Sequence, residues 1–262
     1  MKYFSQLLVA TSLVVTTSFY AQIQSRAEAI NKAGSQRMLV MKMAKNYMSL
    51  GAGVKTQEAA KELDEASALF NENYNDLVVF AKFKETKDAL AFAGILWNKF
   101  RNDVNSTPLM DQANNIISQA NNLVNASTIV VDKYVANTNS KTAILPNVCG
   151  KQRLYSQKLA MLYLAKYWQV NYGGLNKDLS ETLLNYENGL ASLINSVENT
   201  EEINTILKLQ QTEWSYTKKS FDINNEKMSP TSVYSSANLM TRNFDRATAL
   251  YEKLVTNNSK VF

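Results

Sequence analysis

The stretch AGSQRMLVMKMAKNYM, residues 33–48, decides the fold, because its apolar side chains recur at helical spacing. Positions 30, 34, 37, 41, 44 and 48 alternate steps of four and three residues, the spacing of one helix face packed inside a bundle. This face also contains Gly34 and, three residues further on, Arg37. A glycine inside a helix costs about 1 kcal/mol relative to alanine, and a buried charge needs a partner. The presence of Gly34 and Arg37 on this face therefore needs an explanation.

The same pattern returns 116 residues later in CGKQRLYSQKLAMLYL, residues 149–164. When Gly34 is aligned with Gly150, six of fifteen positions are identical. The identical pairs are Gly34/Gly150, Gln36/Gln152, Arg37/Arg153, Lys42/Lys158, Ala44/Ala160 and Tyr47/Tyr163. Three further matches are Asn31/Asn147, Trp97/Trp214 and the segments DKYVAN (132–137) and EKLVTN (252–257). A period near 117 residues is the size of a domain, so the sequence predicts an internal duplication.

The predicted fold is all-α, with two tandem up-down four-helix bundles. Helical patterns cover 58–80, 85–104 and about 108–136, and no segment alternates apolar and polar residues long enough for a strand. Ile95 and Trp97 are predicted on the apolar side of the third helix. The turn-rich segment 138–146 separates the copies, which gives predicted domains at 22–140 and 141–262.

Residues 1–21 have the pattern of a secretory signal peptide. Lys2 precedes an apolar run of about 15 residues, which is short for a bilayer span, and the predicted cleavage is near Ala21. Phe19 is larger than the residue usual at that position, so an uncleaved anchor remains the alternative. No second hydrophobic stretch approaches 18 residues, so the mature protein is expected to be periplasmic or secreted and not membrane-spanning.

Composition argues against an enzyme and against a nucleic-acid-binding protein. The chain has no histidine, which removes His-based catalysis and most zinc or iron sites. Its single cysteine, Cys149, is predicted to be a small buried apolar side chain. Glu62 and its acidic neighbours are predicted on mixed-charge helix surfaces, so no catalytic pair, metal site or cofactor is expected. The net charge of +5 includes no long basic run.

The segment AEAINKAGSQRMLVMKMAKNY resembles the opening helix of the PilJ-type domain, found at the N-terminus of type IV pili chemotaxis transducers and in NarX-like nitrate sensors. The family pattern runs roughly I-N-x-A-G-x-Q-R-M-L-S-Q-R-M-A-K. The first copy departs from it with Val40 and Met41 in place of Ser-Gln, whereas the second copy keeps Ser156 and Gln157. The resemblance implies a four-helix sensor bundle in which an arginine of this motif contacts a ligand between helices.

Physical chemistry supplies a reason for the repeated Gly and Arg. Glycine permits close approach of a neighbouring backbone, and a residue three positions away lies on the same helix face. If the equivalent helices pack together, Arg37 and Arg153 face each other. Two such charges about 4 Å apart repel by about 4 kcal/mol at an effective dielectric near 20, so an anion between them is expected. A guanidinium fork suits nitrate, nitrite or a carboxylate.

The predicted ligand-binding residues are those of this repeated face. They are Arg37, Arg153, Gly34, Gly150, Asn31, Asn147 and Gln157. The two arginines have an alternative role as interhelical ion-pair partners without a ligand, and the two asparagines as polar groups at helix starts. Lys42 and Lys158 lie about 140° around the helix from the arginines and are predicted at the rim.

Two functions follow from this sequence. The first is an extracytoplasmic sensor-type module that binds a small anion and acts through a membrane or periplasmic partner protein, since the chain shows no transmembrane exit or cytoplasmic signalling domain. The second is a structural or protein-interaction bundle without a ligand.

Overall fold

A computed structural model describes residues 23–136, 144–225 and 227–258 of the protein. Within these ranges the fold is all-α, as predicted, and contains no β-strand. The described helices are α1 (Arg26–Gly51), α2 (Thr56–Phe80), α3 (Lys84–Val104), α4 (Met110–Ala136), α5 (Ile144–Tyr167), α6 (Leu175–Ile194), α7 (Glu201–Thr217) and α8 (Pro230–Asn258). A short 3-10 helix, Lys218–Phe221, follows α7. The boundaries predicted for α2, α3 and α4 are confirmed to within two residues.

Helices α1 and α5 form the centre of the molecule and pack against each other along their length. Gly34 lies beside Arg153 near the start of both helices, and Gly51 lies beside Trp168 near the end of both, so the two helices run parallel. Both are buried on nearly all sides over their middle turns. The repeated stretches therefore do not form amphipathic helices with one buried face, because other helices surround each of them.

The remaining helices surround this central pair in matching order. In the first half α1 packs on α2 and α4, and α3 packs on α4; in the second half α5 packs on α6 and α8, and α7 packs on α8. One apolar core runs through α1 and α5 into both halves. A second core fills the end of the first half formed by the start of α1 and the ends of α2 and α4. Duplication and the domain bounds 22–140 and 141–262 stay predictions.

The paired aromatic residues occupy the core, as the sequence predicts. Trp97 stacks on Phe70 with ring centroids 4.1 Å apart, and Trp214 packs on Tyr186 at 4.5 Å. Tyr47 and Tyr163 are buried. The Tyr47 hydroxyl accepts a hydrogen bond from the backbone N–H of Leu109, just before α4, at 3.0 Å. The Tyr163 hydroxyl accepts one from the backbone N–H of Ser229, just before α8, at 2.6 Å. The prediction for Ile95 is wrong: its side chain is 69% exposed, because the buried face of α3 passes through Ala93, Gly94 and Trp97.

No helix in the described part of the chain combines the length and the apolar character needed to cross a membrane. The predicted signal peptide at residues 1–21 lies outside the described residues, as does most of the predicted joint at 138–146.

Candidate functional site

The candidate site is the pair of arginines at the interface of α1 and α5. Arg37 is fully buried and Arg153 is 4% exposed. A Cβ atom added at Gly34 would lie 3.4 Å from Nη2 of Arg37 and 3.6 Å from Nη2 of Arg153. At Gly150 the corresponding distances are 3.5 Å and 3.3 Å. Both guanidinium groups therefore meet in the space beside the two glycines.

Two asparagines hold the arginines in reciprocal positions. Arg37 Nη2 donates to Asn147 Oδ1 at 2.8 Å, and Arg153 Nη2 donates to Asn31 Oδ1 at 3.0 Å. Helical side chains lean towards the N-terminus, so each arginine reaches back to the asparagine of the other helix. The amide of Asn31 also donates to Glu252 at 2.7 Å. Six of the seven predicted site residues are thus brought together.

The role predicted for the glycines needs a correction. We expected Gly34 and Gly150 to admit the backbone of the neighbouring helix, but the atoms nearest to an added Cβ are the guanidinium nitrogens of Arg37 and Arg153. The missing side chains make room for the arginines themselves. The methyl group of an alanine at Gly34 would be in ordinary van der Waals contact with both guanidinium groups. A side chain larger than a methyl group would displace them.

The two arginines differ in how their charges are neutralised. Arg153 Nη1 donates to the carboxylate of Asp245 at 2.9 Å. Arg37 has no such partner, and neither its Nε nor its Nη1 finds an acceptor among the described residues. Burial, and then repulsion from Arg153, lower the pKa of the Arg37 guanidinium to about 10. Arg37 stays protonated at neutral pH, in a setting that disfavours its charge.

Gln157, the seventh predicted residue, is directed elsewhere. Its amide donates to Thr241 Oγ1 at 2.7 Å on α8, and to Ala237 and Asn238 on the same helix. One turn beyond Arg153 its side chain faces α8 rather than α1, because α5 is surrounded by helices. Lys42 and Lys158 lie at the rim as predicted, each 3.6 Å from a carboxylate, Glu62 and Asp178 respectively.

A second buried polar cluster lies further along α1. Lys45 is fully buried; its Nζ donates to Asn238 at 2.7 Å and to Glu62 at 3.1 Å, and lies 3.8 Å from the centre of the Tyr234 ring. The surface position predicted for Glu62 is wrong, because this carboxylate turns inward between α1 and α8 to meet Lys45. The cluster ties α1 and α2 to α8, and hence the first half to the second.

The lysine of this cluster predicts a pH dependence of stability. Burial lowers the pKa of Lys45 from 10.5 to about 7, outweighing the attraction of Glu62. Above about pH 7 the unfolded chain then binds more protons than the folded one, so stability rises with pH. Between pH 7 and about 9 we expect the free energy of unfolding to rise by up to about 1.4 kcal/mol per pH unit, measured by urea unfolding. Below pH 7 this contribution is constant.

Lys45→Met should remove this rise. Lys42→Met is the matched control: Lys42 also approaches Glu62, but its side chain is one quarter exposed, and we expect the rise to persist. An equal slope in Lys45→Met and wild type would contradict the assignment.

Sequence reasoning missed three features of this interface. The partners of Asp245 and Lys45 lie on other helices, and only the packing of those helices shows their roles. Asn125 lines the same cavity as Arg37, and extending the DKYVAN/EKLVTN alignment, with its offset of 120 residues, pairs it with Asp245.

Together the fold and this interface define an all-α bundle protein with a buried arginine pair between its two central helices. Residues 19–79 match the family model described as Type IV pili methyl-accepting chemotaxis transducer N-term, PilJ. The match supports a PilJ-type domain in this N-terminal part of the chain, and the family that it names is sensory rather than enzymatic. No curated protein and no solved structure matches the chain.

Proposed function

We propose that the protein is an extracytoplasmic sensor-type module that binds a small anion, such as nitrate, nitrite or a carboxylate, between Arg37 and Arg153. The carrying observation is that two buried guanidinium groups meet beside Gly34 and Gly150, and that one of them lacks a carboxylate partner. The PilJ-type match supports the sensory role, and it favours a membrane or periplasmic protein as the partner that receives the signal.

The charges at the interface favour an anion. Arg37 loses its hydration on burial and is repelled by Arg153, and a neutral amide from Asn147 compensates for only part of this cost. A planar oxyanion accepts hydrogen bonds from two guanidinium nitrogens at once. Charge-assisted bonds of about 1.5–3 kcal/mol each correspond to micromolar to millimolar affinity once binding costs are included.

A ligand in this position would act on the whole molecule. It would contact α1 and α5 together, and these helices carry the shared core of both halves. The anion would bind tightly only when α1 and α5 hold the two arginines close together. Binding would therefore favour this packing of α1 on α5 over packings that hold the arginines further apart. A partner that contacts either half can then respond to the ligand.

The alternative function, a ligand-free interaction bundle, is favoured by one observation. Arg153 already donates to Asp245 and Asn31, so its charge is balanced within the chain and only its Nε lacks an acceptor among the described residues. In that case the arginines orient α1 against α5 without any ligand.

Titration calorimetry with nitrate, nitrite and acetate tests the proposal. We expect binding with a dissociation constant in the micromolar to millimolar range, lost in Arg37→Met and in Arg153→Met. Lys84→Met removes an equal charge from the surface, where the side chain is 84% exposed, and should bind like wild type. Absence of heat with every anion, or equal binding by the Arg37→Met, Arg153→Met double variant, would leave the ligand-free alternative.

A further inference from the structure

A cavity of about 260 Å³ opens beside Arg37, between α1, α4 and α5. Its wall includes three cationic residues, Arg37, Lys151 and Lys158, and no carboxylate. Arg37 belongs to both this wall and the arginine pair, and its Nε and Nη1 are buried donors without an acceptor among the described residues. The cavity therefore has a positively charged wall, which includes a fully buried guanidinium with two nitrogens that lack an acceptor.

Part of the remaining wall is apolar, beside the polar residues Asn121, Asn125 and Thr128. Met41, Val124 and Leu154 are buried apolar residues, and Tyr155 adds a half-buried ring. The volume lies slightly below the range of about 300–1,000 Å³ usual for drug-sized ligands, so it suits a small organic molecule. Nitrate alone would leave this apolar surface uncovered.

The equivalent place in the second half differs in size and in charge. The offset of 120 residues between α4 and α8 places Phe244 opposite Val124 and Asp245 opposite Asn125. Phe244 is fully buried, and its ring packs against Tyr186 at 5.9 Å. Asp245 supplies the carboxylate that Arg153 uses. In the first half the residue at the first position is smaller, and the residue at the second is neutral. Arg37 therefore has no carboxylate within ion-pair distance among the described residues, and the attraction of Asp132 only partly opposes the fall in its pKa.

The cations at the mouth add to this difference. Lys151 makes no ion pair with the described residues, and the offset of 116 residues places Ser35 at its position in the first copy. Lys158 forms an ion pair with Asp178, with Nζ and Oδ2 3.6 Å apart. Arg37, which has no equivalent of Asp245, therefore lies in a cavity whose wall also includes Lys151.

We infer that this cavity binds a small organic monoanion, with its carboxylate on Arg37 and its apolar body against Met41, Val124 and Leu154. This inference rests on the proposed function and narrows its ligand class: Arg37 and Arg153 supply the charge recognition, and the α4 side of the cavity supplies selectivity for an apolar body. Lys151 attracts the anion at the entrance.

Calorimetric titration of the full chain with benzoate, nitrate and the neutral benzamide tests the inference. Burying the ring should make benzoate bind at least about tenfold more tightly than nitrate, and benzamide should not bind detectably. Val124→Phe introduces the larger residue found at the equivalent position of the second half and should weaken benzoate about tenfold or more, while leaving nitrate within about twofold. Asn125→Asp adds a carboxylate to the wall that Arg37 shares and should weaken the binding of both anions.

The outcomes separate this inference from the proposed function. If nitrate binds and benzoate binds no more tightly, or if Val124→Phe leaves benzoate binding unchanged, the cavity does not select an organic anion and the arginine site still stands. If neither anion binds, the arginine site itself fails. Ser35→Lys, which adds the same charge on the other side of the interface, is the control and should leave benzoate binding within about twofold.

Discussion

Replacing Arg37 with methionine should stabilise the protein in anion-free buffer, by about 2 kcal/mol in the free energy of unfolding. The fall in the pKa of Arg37 from 12.5 to about 10 corresponds to roughly 3 kcal/mol against its charged form. Loss of its hydrogen bond to Asn147 offsets about 1 kcal/mol of the gain. Methionine fills similar space without the charge, and Asn147 is only partly buried and can reach water. Urea unfolding at pH 7 measures the change.

Two comparisons give this result its meaning. Lys158→Met removes a cation from the rim of the same interface, and we expect a change within about 0.5 kcal/mol. Added nitrate should raise the stability of wild type but not that of Arg37→Met, because the variant keeps only Arg153, whose charge Asp245 already balances. If Arg37→Met destabilises the protein, Arg37 is a structural residue and the unsatisfied-charge argument is wrong.

Truncating Trp97 to alanine should give the largest loss of stability, about 3–5 kcal/mol. Trp97 is 1% exposed, stacks on Phe70 at 4.1 Å and packs near Phe100 at 6.5 Å. These rings join α2 to α3, which otherwise contact each other little. The cavity left behind cannot be refilled by its ring neighbours without moving a helix. Thermal and urea unfolding, followed by circular dichroism, measure the loss.

Phe92→Ala is the matched control on the same helix. Phe92 is 53% exposed, and we expect its replacement to change stability by no more than about 0.5 kcal/mol. Equal losses in the two variants would show that α3 is not held by the stacked rings.

The central position of α1 and α5 connects stability with the proposed function. The arginine pair, the shared core and the Lys45 cluster all lie on α1, and each joins it to the second half. An anion at Arg37 would act on the helix on which most of these contacts converge. A sensory role therefore requires no separate hinge: a change in how α1 packs on α5 reaches both halves.

The sequence by itself determined the helical class, the positions of the helices in the first half and the repeated Gly and Arg. Helical spacing marks these features because a helix buries every third or fourth residue whatever it packs against. The same reasoning placed Trp97 and Trp214 in the core. It failed for Ile95, because the exposed side of α3 also carries large apolar residues, Phe92 and Ile95.

Only the tertiary structure decided what Arg37 and Arg153 contact. It placed the parallel pair α1 and α5 at the centre, directed Gln157 towards α8, and gave Asp245 to one arginine but not to the other. These partners lie between about 80 and 120 residues apart in the chain, and local periodicity carries no information about which helices meet. The charge left unpaired at Arg37 is a property of that packing.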